Sequence, residues 1–286
     1  MKGFDYHESS TLDEAARLAL GMAGEVRYLA GGTDLLVLMK YGVLQPAAVI
    51  NLKKIPGLDT LAFNEQDGLK VGALVTWSRL LESKEVARYY PVLRQAAITM
   101  ASGQIRNLAT LAGNLCHASP AANGPIPLLL YQAVCHVHGP NGSRKIPVEA
   151  FFVGVQKNAL GRGEILTHIS IPPAEPGSRG TYYKFTHRRA MDLAIVGVGA
   201  LVKVEDGVFR RTRLAMGAVG PVPVRDRKVE SWLQGRPVNW GVIEEAAHMA
   251  SRGCTPISDL RASQQYRRWL VEELTGRALK ECCGLE

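Results

Sequence analysis

Two short stretches carry the residue types that can hold a phosphorylated ligand: Leu29-Ala30-Gly31-Gly32-Thr33-Asp34-Leu35-Leu36 and Thr110-Leu111-Ala112-Gly113-Asn114. The first lies between an apolar, strand-like run from Val26 to Ala30 and a helical-looking run from Leu35 to Tyr41, so its glycines fall where strand gives way to helix. Glycine tolerates positive φ and lets backbone approach a ligand closely, and the exposed N–H groups of a helix start attract anionic oxygens. The second stretch offers another small-residue turn with polar Thr110 and Asn114 at its ends. Two such turns would grip one diphosphate from both sides. Gly-Gly-Thr-Asp is equally good chemistry for a plain turn followed by a helix N-cap, and that reading stands beside the first.

The elements that must position these turns can be read in order. Thr11-Leu12-Asp13-Glu14 has the form of a capping box and leads into a helix to about Leu20. After the first glycine turn and its helix, Ala47 to Leu52 reads as a strand, closing a small α/β lobe near Pro56. Leu69 to Leu74 is a strand, Ser78 to Ser83 a short helix, and the run after Pro91 a longer one, with Val92, Leu93, Ala96, Ala97 and Met100 at helical spacing. From Gly103 to Pro127 small and polar residues dominate, a composition suited to a ligand-lining loop or, more blandly, to an irregular surface connection. A short helix over Leu128 to Ala133 and strands at Val134 to Val137, Arg144 to Ile146 and Glu164 to Pro172 complete a second lobe.

Pro172 to Gly180 reads as a linker. Beyond it strands are expected at Thr181 to His187, Leu193 to Glu205 and Val208 to Ala218, the last two joined by an Asp206-Gly207 hairpin turn. Helices follow at Val224 to Leu233, Val242 to Arg252 and Ser263 to Leu279, the last with Tyr266, Trp269, Leu270 and Leu274 on one face. The expected organisation is thus residues 1–56, 57–176 and 177–286.

Composition excludes several classes. With 286 residues and 47% hydrophobic content the chain buries a large core. No apolar run is long enough to cross a bilayer, and acidic residues stand where a signal peptide needs an apolar segment, so a cytoplasmic protein is expected. The net charge of +8 is dispersed in short groups such as His187-Arg188-Arg189 and Arg267-Arg268, without a nucleic-acid motif, so no nucleic-acid partner is expected. The five cysteines show no zinc or iron–sulfur spacing, so metal chemistry would sit on another chain. No paired carboxylates and no nucleophile elbow are present, and covalent chemistry would belong to a cofactor.

Four motifs in order resemble one family: Ala30-Gly31-Gly32-Thr33-Asp34-Leu35, Gln104-Ile105-Arg106-Asn107-Leu108-Ala109-Thr110-Leu111-Ala112-Gly113-Asn114, Ser119-Pro120-Ala121-Ala122 and Arg188-Arg189-Ala190-Met191-Asp192-Leu193-Ala194. Together they resemble the FAD-binding medium subunit of the molybdenum hydroxylases, the family of carbon monoxide dehydrogenase and xanthine dehydrogenase. The resemblance covers essentially the whole chain. It implies an α+β protein: a vanillyl-alcohol-oxidase-type, two-lobed FAD-binding domain followed by a C-terminal α+β domain.

It further implies a flavoprotein oxidoreductase subunit with FAD as cofactor, accepting electrons from an iron–sulfur small subunit and passing them to a terminal acceptor. Substrate would be oxidised on a molybdenum-binding large subunit, the molybdenum cofactor and [2Fe-2S] clusters being confined to these partners in a dimer of heterotrimers. The cysteine pattern argues against the subtype whose flavoprotein subunit carries an inserted cluster. Transferred by residue, the resemblance places Leu29 to Leu36 and Thr110 to Asn114 around the FAD diphosphate, Asn123 near the adenosine end, and Met100, Leu166 and Lys184 at further contacts. Ala112 replaces a glycine of the family pattern and would weaken FAD binding if that position needs positive φ; Asn123 replaces an aspartate and loses its charge. The bland readings are ordinary core for Leu166, a snorkelling strand-edge cation for Lys184, a hydrogen-bonded loop residue for His117 and a turn-shaping ion pair for Asp192. A stand-alone flavin oxidoreductase and an FAD-free binding or assembly protein on the same fold are the alternative functions.

Overall fold

The computed structural model describes residues 2–188 and 190–285. Arg189, part of the fourth motif and of the His187–Arg189 basic group, lies outside the described residues. Three main sheets follow one another along the chain. The first is parallel, with Ala48–Asn51 between Asp5–Glu8 and Val26–Leu29. All four residues of its middle strand are buried, as a central parallel strand requires. The helix Leu12–Gly21 beside it is capped as the sequence predicts: Thr11 Oγ1 accepts from Glu14 N at 3.2 Å, while Glu14 Oε2 accepts from Ser10 N at 2.7 Å.

The second sheet is antiparallel, in the order Leu61–Asn64, Gly68–Gly72, Ile165–Ile171, Val134–Gly139 and Gly142–Pro147. Its strands alternate: Leu69, Val71, Cys135, Val137 and Ile169 enter the core, and Lys70, His136 and Lys145 face outward. One hydrophobic core spans residues of both sheets, from Ala15 and Ile50 to Ile169 and Ile171, so the two expected lobes share an interior.

The third sheet, Arg179–Phe185, Val196–Glu205, Val208–Gly217 and Val224–Arg225, is antiparallel and has its own core with the helices Arg227–Leu233, Trp240–Gly253 and Gln264–Cys283. Its long hairpin turns at Asp206 (φ +52°) and Gly207 (φ +71°), the left-handed pair that a two-residue turn demands. Val224 and Arg225 form a short strand instead of the expected start of a helix. Asp226 caps the helix from Arg227 by accepting from Val229 N at 3.1 Å, and Arg225 is held by Glu230 through two bonds of 2.6 and 2.7 Å. On the last helix the buried stripe is Arg267, Leu270, Val271, Leu274 and Ala278. Tyr266 and Trp269, expected on it, lie at its flank and stack on one another at 5.9 Å.

The stretch from Gly103 to Pro127 differs most from its reading as a loop. It forms the helices Gly103–Arg106 and Leu111–His117 and runs into a third, Pro125–Leu130, which is buried along its whole length. Ser102 and Thr110 cap the first two through Ile105 N and Gly113 N, and Pro125 opens the third, where a missing N–H costs nothing. That third helix rests on the third sheet because its contact points there are glycines: a Cβ on Gly199 would fall 2.7 Å from Ile126 Cγ2, and one on Gly197 2.8 Å from Ile126 Cδ1. Arg213 Nη1 to Leu130 O (2.8 Å), Tyr182 N to Gln95 Oε1 (2.8 Å) and Ala218 N to Pro120 O (2.7 Å) lock the same junction.

On the outer face of the second sheet His136 and His168 are cross-strand partners with rings stacked 4.0 Å apart. Burial first, then the neighbouring His136, holds His168 down to about 4, and burial with Lys145 and Lys70 nearby lowers His136 in the same direction. The unfolded chain therefore binds more protons than the folded one between pH 6.5 and 4, and this pair withdraws stability as pH falls through that window. His168→Gln is expected to lose less thermal stability than the parent between pH 7 and pH 4.5, as scanned by circular dichroism; parallel losses would contradict the assignment.

Candidate functional site

The first glycine turn is set by its approach to the segment before the second. A Cβ on Gly31 would fall 2.1 Å from the Leu108 carbonyl oxygen, so only glycine allows this contact. Gly32 takes φ +76°, the left-handed region, and Leu29 and Leu36 close on it from both sides. The second turn is fixed from below by Trp77 N to Ala109 O (3.0 Å) and Leu111 N to Val75 O (3.4 Å).

The plain N-cap reading fails for the first turn: Asp34 precedes the helix Leu35–Lys40 with αR dihedrals and its side chain makes no cap bond. Among the described residues, the N–H groups of Gly31, Gly32, Thr33, Asp34 and Leu35 find no protein acceptor. A run of successive backbone amides without protein acceptors is the kind of donor set that can take an anion. The second turn contributes less. Gly113 N is committed to Thr110 Oγ1 (2.9 Å) and Asn114 N to Thr110 O (3.0 Å), which leaves Ala112 N–H and the Asn114 Nδ2 without a protein acceptor. The expected two-sided grip is therefore unequal, with most donors on the first turn. Ala112 lies inside the helix Leu111–His117 and is not among the residues of positive φ, so its methyl group needs no strained backbone.

Two chambers meet at these turns. The smaller, about 150 Å³, is lined by Ala30 to Leu35, Met100, Thr110, Gly113 and Asn114, with His117 at its wall. The larger, about 420 Å³, is lined by Ala30, Ala112, Gly113 and Leu166, with Tyr28, Leu52, Ala73 and the segment 160–164 opposite. Arg27, Tyr28, Ala30, Gly113 and Cys116 border both, so the two form one cleft. Leu29, Leu36 and Leu111 line neither: Leu111 is buried in the core, and Leu29 and the exposed Leu36 flank Gly32.

Asn123 and Lys184 also lie outside both chambers, at a hub around Thr99. Asn123 Nδ2 donates to Ala96 O (3.1 Å) and Thr99 Oγ1 (3.0 Å), and Lys184 Nζ donates to Thr99 O (3.2 Å). Since Met100 follows Thr99 at the smaller chamber, this hub stands apart from Leu166, and Asn123 does not share the Leu166 end of the cleft. An asparagine suits the position because a carboxylate would have no proton for the Ala96 carbonyl. Its Oδ1 receives no bond from the protein. Burial lowers the Lys184 pKa, with Asp192 opposing that shift. Asp192 itself follows the bland reading, accepting from Arg188 N (3.0 Å) and Leu193 N (2.9 Å), bonds that hold its carboxyl below the usual range.

Sequence reasoning missed Arg27, Tyr28, Cys116 and the segment 158–164. The first two adjoin the glycine motif and their position was the available signal. Cys116 follows the second motif on its helix, while the segment 158–164 reaches the cleft through contacts such as Asn158 Nδ2 to Cys116 O at 2.7 Å. The charged groups of the larger chamber are already neutralised or tethered: Glu164 takes two bonds of 2.7 Å from Arg144, and the Arg162 guanidinium ties Ala19 O and Met22 O at the end of the first helix.

The donor set fits the diphosphate of FAD: backbone amides free to take anionic oxygens, an amide side chain beside them, and no metal-ligand cluster among the described residues. Gly31→Ala is expected to push the two turns apart and abolish flavin retention while the separate core of the third sheet stays folded; the cofactor content of the purified variant and its far-ultraviolet dichroism check this, and full retention would contradict it.

Comparison with known proteins agrees with this geometry. The pattern described as the FAD binding domain in molybdopterin dehydrogenase matches residues 2–174, and that of the CO dehydrogenase flavoprotein C-terminal domain matches residues 181–282. The chain is 31% identical to a xanthine dehydrogenase FAD-binding subunit of Escherichia coli over 277 residues, 96% of this chain and 94% of that one. It is 29% identical to the carbon monoxide dehydrogenase medium chain of Hydrogenophaga pseudoflava, with 96% of each chain covered. A solved structure of carbon monoxide dehydrogenase from Hydrogenophaga pseudoflava, lacking the Mo-pyranopterin moiety of its cofactor, superposes with a TM-score of 0.95 at 28% identity, covering 99% of this chain and 98% of that one. The two-turn cleft, the fold around it and these relatives lead to one conclusion: the chain belongs to the FAD-binding medium subunits of the molybdenum hydroxylases, the flavoprotein oxidoreductase subunits of such dehydrogenases.

Proposed function

We propose that FAD lies along the cleft with its diphosphate on the amides of Gly31 to Leu35 and at the Thr110–Asn114 turn, Leu166 at one end and Met100 at the other. The run of five amides without protein acceptors is the observation that carries this reading. Bound there, FAD supplies one- and two-electron redox chemistry. The chain's own residues bind and orient it: Gly31 and Leu108 set the spacing of the turns, and Thr110 holds the second turn in register. Lys184 and Asn123 stiffen the Thr99–Met100 turn, through which they act on the site, and Asn123 retains a free acceptor oxygen.

In this reading residues 1–56 and 57–176 hold the cofactor and 177–286 form the C-terminal domain. The subunit takes electrons from an iron–sulfur small subunit and passes them to a terminal acceptor, with substrate oxidised on a molybdenum-binding large subunit, in a cytoplasmic dimer of heterotrimers. Among the described residues no helix is long and apolar enough to cross a membrane, and no side-chain cluster could hold a metal ion.

Reconstitution tests it. Addition of the complex's reducing substrate to the three chains together is expected to bleach the flavin absorption, and omission of the iron–sulfur chain to leave it unbleached. Equal bleaching without that chain would show a stand-alone flavin enzyme instead.

A further inference from the structure

Two turns of the C-terminal domain hold large apolar side chains out of the fold. Leu260 is fully exposed, Ile257 is 69% and Met191 59% exposed, and Leu193 follows two residues after Met191 with half its surface in solvent. An exposed leucine alone needs no explanation, since much of any protein surface is apolar. What sets these apart is the backbone beneath them, because an aspartate staples each turn from within. Asp192 accepts from Arg188 N at 3.0 Å and from Leu193 N at 2.9 Å, and Met191 between them is held at φ +55°. Asp259 Oδ1 accepts from Arg261 N at 2.9 Å, from Ala262 N at 3.1 Å and from Nη2 of the buried Arg267 at 2.7 Å.

The two turns are also tied to each other. His187 Nε2 bonds the Arg261 carbonyl oxygen at 2.8 Å, and the Arg267 guanidinium that holds Asp259 also donates to Ile195 O. Backbone ordered in advance does not have to be ordered on binding, so apolar tips on stapled turns suit anchors that enter a partner's pocket. The accessible charge around them is positive. The side chains of Arg188 and Arg261 are 74% and 43% exposed, against 15% and 29% for Asp192 and Asp259, whose oxygens are engaged in the bonds above. The complementary surface is an apolar pocket with carboxylates at its rim. The first turn begins two residues after Lys184, whose Nζ holds Thr99 O beside the smaller chamber, so a chain seated on these tips is brought up to the cleft.

We infer that the Met191 and Leu260 turns are the docking surface for the iron–sulfur small subunit, whose contact face offers an acid-rimmed apolar pocket. The inference rests on the three-chain reading under Proposed function. Its first test places the photo-crosslinking residue p-benzoylphenylalanine at position 260 of the full, FAD-loaded chain, assembles it with the iron–sulfur and molybdenum chains, and identifies the crosslinked peptide by mass spectrometry. Its second measures the affinity of Leu260→Ser for the iron–sulfur chain, with FAD content and far-ultraviolet dichroism as controls for an intact fold.

The expected results are a crosslink to the iron–sulfur chain and an affinity for it weakened about thirtyfold, with FAD content unchanged. A crosslink to the molybdenum chain, to a second copy of this chain or to none would overturn the inference, as would an unchanged affinity in the serine variant. Failure of the parent chain to assemble with the other two would instead overturn the three-chain reading beneath it.

Discussion

The structure depends on one close contact, that of the Gly31 backbone with the Leu108 carbonyl. A single added methyl group would reach 2.1 Å from that oxygen, so the contact exists only while residue 31 has no side chain. Through it the parallel sheet of the N-terminal segment and the helical stretch after Met100 hold their glycine turns at a fixed separation. Gly32 then turns the chain in the left-handed region, and the amides that follow, on residues lining the smaller chamber, are not consumed by a cap. The binding capacity of the cleft comes from bonds that the protein leaves unmade.

A second set of glycines does the corresponding work at a distance. Gly197, Gly199 and Gly217 let the buried helix Pro125–Leu130 sit directly on the third sheet. This fixes the C-terminal sheet against the cofactor-binding part: Tyr182, Leu201 and Ala215 on one face of the third sheet join the first core, while the opposite face packs a second core with the C-terminal helices. The same junction brings Lys184 to Thr99 beside the smaller chamber. The C-terminal domain thus reaches the site through one strand and one turn, and its position is set by steric vacancies as much as by attractive contacts.

Much of this was legible in the residues. The capping box at Thr11, the hairpin at Asp206-Gly207 and the buried run Ala48–Asn51 each follow local rules, and all three formed. The glycine turns were visible as well, since their spacing and flanking patterns are local. The region 103–127 was misread because small and polar residues suggest a loop, while here Ser102, Thr110 and Pro125 start helices whose small side chains permit tight burial. Ala112 illustrates the same limit: whether a methyl group is tolerated depends on helical φ, which composition does not disclose. Arg162 and Asn158 were invisible as site residues because their place at the cleft arises from contacts between segments more than 40 residues apart.

The central claim is that this cleft, as folded, holds FAD. The most direct measurement is the visible spectrum of the chain purified alone and then incubated with FAD, with the released cofactor identified and counted after denaturation. The account predicts flavin bands and one FAD per chain. A colourless protein that stays colourless after incubation with FAD would contradict it.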